Sequence, residues 1–168
     1  MIRSIIQLGN PILRQLSSEV STEELRSNQI SLLIEDLRDT LHDFQQRHQT
    51  GRGIAAPQIG INKRVIYIET SEFKNTLINP RYLYKSKQLI PVWDSCFSYW
   101  GISFQVLRHR HVEIAYLSES GEHMSLKASD GLSELLQHEI EHLDGQAAID
   151  QLIPAGLICT PQEQALLP

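Results

Sequence analysis

His138, Glu139 and His142 stand in the order H-E-x-x-H. On a helix, positions i and i+4 leave the same face, so the two imidazoles can grip one divalent ion. The carboxylate of Glu139, one residue along, can reach a water beside such an ion without being a ligand. This is a geometry for hydrolysis, in which the ion acidifies a water and the carboxylate takes its proton. Two histidines hold zinc or iron poorly, and a catalytic site usually has three protein ligands and one open position. Glu163 lies downstream, but Thr160-Pro161-Gln162-Glu163 also reads as a capping box with Pro at the first helical position. His109 and His111 could share a strand face, although their neighbours Arg108 and Arg110 suggest a surface. Cys96 is the strongest candidate, because thiolate binds zinc and ferrous iron well.

The elements that must position these groups can be read from hydrophobic spacing. Leu132, Leu135, Leu136, Ile140 and Leu143 recur at helical intervals around the histidines. Ser129 or Asp130 could cap the start of that helix, and Gly145 suits the position just past its end. The alternative is an ordinary amphipathic helix with two unremarkable histidines. Ile30, Leu33, Ile34, Leu37, Leu41 and Phe44 predict a long helix over about 29–47, with His42 and His48 on its solvated side. Gly51-Arg52-Gly53-Ile54-Ala55-Ala56-Pro57-Gln58 allows positive φ or a close approach of backbone to a ligand. It lacks the G-K-[ST] ending of a phosphate loop, and it could equally be a tight turn into a strand. Val65–Ile68 reads as a buried strand, Thr76–Ile78 as one ended by Asn79-Pro80, and 81–90 as holding another. Val112–Leu117 alternates and turns at Ser118–Gly121 into a partner strand over 122–127. The order predicts an α+β domain: antiparallel β-sheets packed around a central H-E-x-x-H helix, with a long N-terminal helix.

Composition bounds the function. At 168 residues the chain fits one domain, 1–168, and a 41% hydrophobic fraction suits a globular protein. A net charge of −5 without a dense basic run argues against nucleic-acid binding. No apolar run is long enough to cross a bilayer, and the first residues show no signal-peptide pattern, so a cytoplasmic location is expected and no membrane partner. Cys96 and Cys159 are the two cysteines, and a disulfide is not expected in a reducing compartment.

Three segments together resemble the peptide deformylases. Residues 51–58 are similar to their G-x-G-[LI]-A-A-x-Q motif, and Gln137-His138-Glu139 with His142, Leu143 and Gly145 to their Q-H-E-x-D-H-L-x-G. Asp94-Ser95-Cys96-Phe97-Ser98 looks like a degenerate E-G-C-L-S, and the opening Gly9-Asn10-Pro11-Ile12-Leu13-Arg14 agrees as well. Order and spacing match across nearly the whole chain. The resemblance implies one divalent ion on Cys96, His138 and His142, Fe(II) first, with Zn(II), Ni(II) or Co(II) as alternatives. It implies removal of the formyl group from N-formylmethionyl peptides in protein biosynthesis. Glu139 would activate water and pass the proton to the leaving amine, and Gln58 and the backbone N–H of Phe97 would hold the oxyanion. The peptide would pair as an added strand along Gly53.

The chain also departs from the pattern. Asp94 replaces Glu and is expected to pair with Arg108 as structural support, one methylene short. Ser95 replaces Gly, which would be strained if the position needs positive φ. Phe97 is expected to put bulk beside the formyl site. Glu134, four residues before His138, stands where family members tend to be apolar near the methionine pocket, and Arg52, between the motif glycines, could reach the same pocket, with Leu135 as a further substrate-binding candidate. Either both are solvated charges, or the pocket is too polar or narrow for methionine. In the second case the substrate would be another formylated peptide or small amine, and Glu134→Leu would improve turnover of formylmethionyl peptides. A non-catalytic protein that binds metal or formylated peptides is the remaining alternative. No Lys or Arg follows Gly145, so docking on the ribosome through a basic C-terminal helix is not expected.

Overall fold

The computed structural model describes residues 1–153, 156–164 and 166–167. A short helix α1 (Thr22–Leu25) leads into the long helix α2 (Asn28–His48). Ser27 caps α2 by accepting from the Gln29 N–H, and Gln49 ends it in the left-handed region at φ 57°. Ile30, Leu33, Ile34, Leu37, Leu41 and Phe44 are buried, as the spacing predicts, and so is Asp36, which the Arg3 guanidinium meets at 2.7 Å.

Five antiparallel strands form the larger sheet: β1 (Gly53–Ala55), β2 (Val65–Glu69), β3 (Lys74–Lys85), β6 (His111–Leu117) and β7 (His123–Ser129), in the order β1-β2-β3-β6-β7. A smaller sheet has the order β4-β5-β8, from β4 (Leu89–Ser95), β5 (Ser103–His109) and β8 (Ile158–Cys159). The helix α3 (Asp130–Leu143) carries H-E-x-x-H, and a one-turn helix α4 (Pro161–Gln164) follows β8. No helix among the described residues is long and apolar enough to cross a membrane.

The run Val65-Ile66-Tyr67-Ile68 explains how α3 is held. Alternate side chains of a strand leave opposite faces. Val65 and Tyr67 pack with Leu33, Leu37 and Leu41 of α2. Ile66 and Ile68 pack with Leu135, Leu136, Ile140 and Leu143 of α3. The strand is apolar over these four positions because a helix covers each face. A third cluster, with Cys96, Phe104, Val106 and Ala148, fills the space around the smaller sheet.

Four details differ from the sequence expectation. β3 does not stop at Asn79-Pro80 but runs through to Lys85, so residues 81–85 extend it instead of forming a new strand. Its pairing with β6 shifts register between Ile78 and Arg81. Such a bulge tolerates a residue without an N–H, and Asn79 takes φ 51° there while its amide holds both backbone groups of Val20 at 2.8 Å. The stretch 51–58, which could have been a tight turn into a strand, holds β1 and then a 3-10 helix, Ala56–Ile59. Ser129 sits at the N-cap of α3 without a side-chain capping bond, and Asp130 has φ 50°. The partner of β6 is His123–Ser129 instead of 122–127.

Candidate active site

Three elements converge on one pocket. α3 supplies His138, Glu139 and His142 from adjacent turns. Cys96 follows the end of β4, and Gln58 stands on the 3-10 helix after β1. All five side chains are buried. The donor atoms of Cys96, His138 and His142 lie within 4.8 Å of one another. Cys96 Sγ is 3.2 Å from His142 Nε2. The Ala55 N–H donates to Gln58 Oε1 at 2.8 Å, which turns Gln58 Nε2 toward Cys96 Sγ and Ser98 Oγ, each at 3.5 Å. Glu139 Oε2 and His142 Nδ1 are buried without a hydrogen-bond partner.

Gly53 must be glycine for a reason visible here. A Cβ at this position would lie 2.7 Å from Glu139 Oε1. Gly51 has φ 120°, and a Cβ there would come 2.9 Å from the ring of Phe97. That ring stacks on Phe44 with centroids 3.9 Å apart, so most of its bulk turns toward α2 while its edge lines the pocket.

Asp94 does more than pair with Arg108. Its Oδ2 takes Arg108 Nη2 at 2.7 Å, as expected, and its Oδ1 lies 2.9 Å from His138 Nδ1. A carboxylate on one ring nitrogen leaves the other for a ligand and fixes the ring. Arg108 is only 1% exposed and also bonds Glu141, so the buried guanidinium lies between two carboxylates. Neither contact of Asp94 with His138 nor that of Arg108 with Glu141 is readable from spacing. The available signal is a lone Asp in an apolar strand and an acid inside the H-E-x-x-H helix.

The charges are mutually adjusted. Burial opposes ionisation of Cys96, but His142 and His138 outweigh it and draw the thiol down to about 5. Burial alone would lift Asp94, yet His138 and Arg108 hold it well below the usual carboxylate range. Burial lowers His138, and Asp94 and Cys96 more than reverse this, so the ring is pushed well above its ordinary value. Glu139 is lifted to about 7 by burial, against the pull of the two histidines. A thiolate with two imidazoles is a donor set suited to zinc or ferrous iron, and all three donors are buried beside a pocket that leaves a further side open. The residues therefore fit one divalent ion.

Several sequence expectations end differently. Ser95 does not have positive φ; it closes the β4–β5 ladder opposite Ser103, so no strain arises. Arg52 and Glu134 are not free solvated charges. Arg52 Nη2 meets both Glu134 oxygens at 3.0 and 2.9 Å, and the carboxylate is buried. Leu135 lines the pocket with them while packing on the core. His109 and His111 fall in strands of different sheets; His109 Nδ1 meets the Ser86 carbonyl and His111 Nδ1 the Ser129 hydroxyl. Glu163 is exposed on α4, where its N–H donates to Thr160 Oγ1. His42 is half-buried against Glu69 at 2.7 Å, and His48 packs between Phe44 and Trp100, so neither is simply solvated.

The model of the polypeptide deformylase family matches residues 2–156. This chain belongs to that family. Among deformylases of similar sequence, peptide deformylase 2 of Clostridium perfringens is 37% identical over 152 residues, covering 89% of this chain and 92% of the relative. The peptide deformylase of a Picosynechococcus species is 35% identical over 150 residues, covering 86% and 76%. Solved deformylases share the fold. That of Synechococcus elongatus in complex with actinonin gives a TM-score of 0.81 at 30% identity, over 90% of this chain and 79% of the other. The Acinetobacter baumannii enzyme bound to Met-Ala-Ser gives 0.81 at 27%, over 90% and 99%.

Proposed function

We propose that this chain hydrolyses the N-formyl group from formylmethionyl peptides, releasing formate and a free amine. The observation that carries the reading is the convergence of Glu139, Gln58, Cys96 and His138 on one pocket, with His142 Nε2 3.2 Å from Cys96 Sγ to complete a donor set. Cys96, His138 and His142 would hold a divalent ion, Fe(II) first and Zn(II), Ni(II) or Co(II) as alternatives, which when bound supplies a Lewis acid that acidifies water and polarises the formyl carbonyl.

The chain's own groups account for the rest of the reaction. Glu139, buried and with one oxygen unpartnered, takes the proton of the attacking water and delivers it to the amide nitrogen as the C–N bond breaks. Gln58 Nε2, aimed by the Ala55 N–H on its oxygen, donates to the carbonyl oxygen as charge develops there. Phe97 opens a 3-10 turn, where the leading N–H groups have no acceptor within the turn, so its N–H is available as a second donor. β1 stands at the end of the sheet order, with β2 on one side and, among the described residues, no strand on the other. A peptide can add there by backbone hydrogen bonds, and Gly53 gives it room.

The test is formate release from formyl-Met-Ala-Ser by protein prepared without oxygen and loaded with iron, nickel or cobalt. Release is expected to fall by about 10²–10⁴-fold in Glu139→Gln with metal content unchanged. Equal release by that variant, or none from metal-bound wild-type protein on this or any other formylated peptide, overturns the reading. Stripping the metal with a chelator is expected to abolish release, and readdition to restore it.

A further inference from the structure

The ion pair Arg52–Glu134 spans the mouth of the pocket. It joins the residue before β1 to the helix turn that precedes His138. With the formyl group placed between Gln58 and Glu139, and the peptide along β1, the side chain of the formylated residue must pass this pair. Arg52 and Glu134 line the same pocket as Cys96 and Glu139, with Phe97 and Trp100 also lining it.

The pocket is small and its rim is charged. Its volume is about 70 Å³, roughly half that of an engineered cavity of about 150 Å³ that holds benzene. It must also admit the formyl group, so a side chain as long as methionine lies against the ion pair. Moving Arg52 aside would leave the buried carboxylate without the guanidinium that meets both its oxygens. The Glu134 carboxyl is already held above its ordinary value by burial, against the pull of Arg52. Arg52 itself is 48% exposed at its side chain. Of its five N–H donors, Glu134 takes the two on Nη2 and the Gly131 carbonyl one on Nη1 at 3.3 Å. Two donors, on Nε and Nη1, have no acceptor among the described residues. A thioether laid on them would strip their water and return no hydrogen bond, whereas a short side chain with an oxygen would accept from them.

We infer that the Arg52–Glu134 pair reads the side chain of the formylated residue, and extends the substrate class to N-formyl peptides that begin with a short, acceptor-bearing residue such as Ser or Asn, at the expense of methionine. The inference rests on the deformylase reading. It also revises the value of Glu134→Leu alone, which would leave Arg52 without its partner; the informative variant removes both charges.

Formate release is measured on formyl-X-Ala-Ser with X as Ser, Asn, Met and Leu, for wild-type protein and for Arg52→Leu/Glu134→Leu. Wild-type kcat/KM is expected to be at least as high for Ser and Asn as for Met, and the double variant to shift the Met-to-Ser ratio toward Met by tenfold or more. Any wild-type preference for Met over Ser and Asn overturns the inference, as does a Met-to-Ser ratio that shifts less than tenfold in the variant. Calorimetric binding of the deformylated peptides Ser-Ala-Ser and Met-Ala-Ser to wild-type protein tests the pocket without hydrolysis and without the variant. Ser-Ala-Ser binding at least as tightly supports the inference, and Met-Ala-Ser binding tenfold tighter overturns it. Formate from none of the four peptides overturns the deformylase reading, and in that case the binding order still decides what the pocket admits.

Discussion

Asp94 shows what a single residue must do in a buried site. It touches His138 on one oxygen and Arg108 on the other, and both partners are inside the protein. Removing one member of a buried charged set leaves the others uncompensated, which is costlier than never having had the pair. Asp94→Ala is therefore expected to destabilise the protein by about 3–5 kcal/mol, measured by urea unfolding. A cost below about 1 kcal/mol would mean that Glu141 alone can hold Arg108. Asp reaches Arg108 at 2.7 Å despite being one methylene shorter than the Glu of its relatives, so the pair approaches and does not weaken to a gap. Ser95 makes the opposite point. Its change from the family motif looked costly, yet the backbone there is an ordinary strand that accepts any side chain.

At the scale of elements, β1 and α3 are set so close that one backbone position is left no side chain. Gly53 faces Glu139 with no space for a Cβ. Gly53→Ala is expected to push the Glu139 carboxylate aside and to lower kcat by 10-fold or more, since a displaced base loses its alignment. Far-UV circular dichroism should stay unchanged, because the strand itself tolerates Ala. A variant with wild-type kcat would show that Glu139 has another working position. β1 is short and, among the described residues, flanked by a strand on one side only, which leaves an edge on which the proposed peptide substrate would pair. α3 is gripped from the sheet side by Ile66, Ile68, Leu77 and Ile114, so its polar face is presented to the pocket with little freedom to rotate.

Across the whole molecule, the long helix and the large sheet are tied by charge as well as by the core. Glu69 at the end of β2 meets His42 of α2 at 2.7 Å, Tyr67 at 2.6 Å and Lys74 at 2.8 Å. Burial would raise this carboxyl, but the bonds from Lys74, Tyr67 and His42 outweigh it and bring it from 4.5 to about 2. A group whose folded value is depressed adds stability above its unfolded value and loses it as pH falls through the folded one. Glu69 should thus stabilise the fold above pH 4.5 and lose that contribution between there and about 2. Partial exposure screens the pair, so about 1–2 kcal/mol is expected at neutral pH. Unfolding of wild type and Glu69→Gln compared at pH 7 and pH 3 measures it: the gap should narrow in acid. A gap that is constant with pH would assign the effect to packing.

The local order of residues was enough to determine the helices α2 and α3, the buried strand Val65–Ile68, and the candidate set His138, Glu139 and His142, from periodicity and a motif whose chemistry needs those types at that spacing. Cys96 was the strongest of several third-ligand candidates, and Gln58 entered only through the resemblance to the deformylase motifs. The continuation of β3 through Asn79-Pro80 was not legible, because a Pro in a strand is acceptable only at a bulge, and the bulge is created by pairing with β6. Nor were the partners of the charged residues. Arg52 with Glu134, Asp94 with His138, and Glu141 with Arg108 are 82, 44 and 33 residues apart in the chain. A side chain's charge is set by its type, but whether that charge is solvated, paired or aimed into a pocket depends on which distant strand or helix the fold lays against it, and only the tertiary structure decides that.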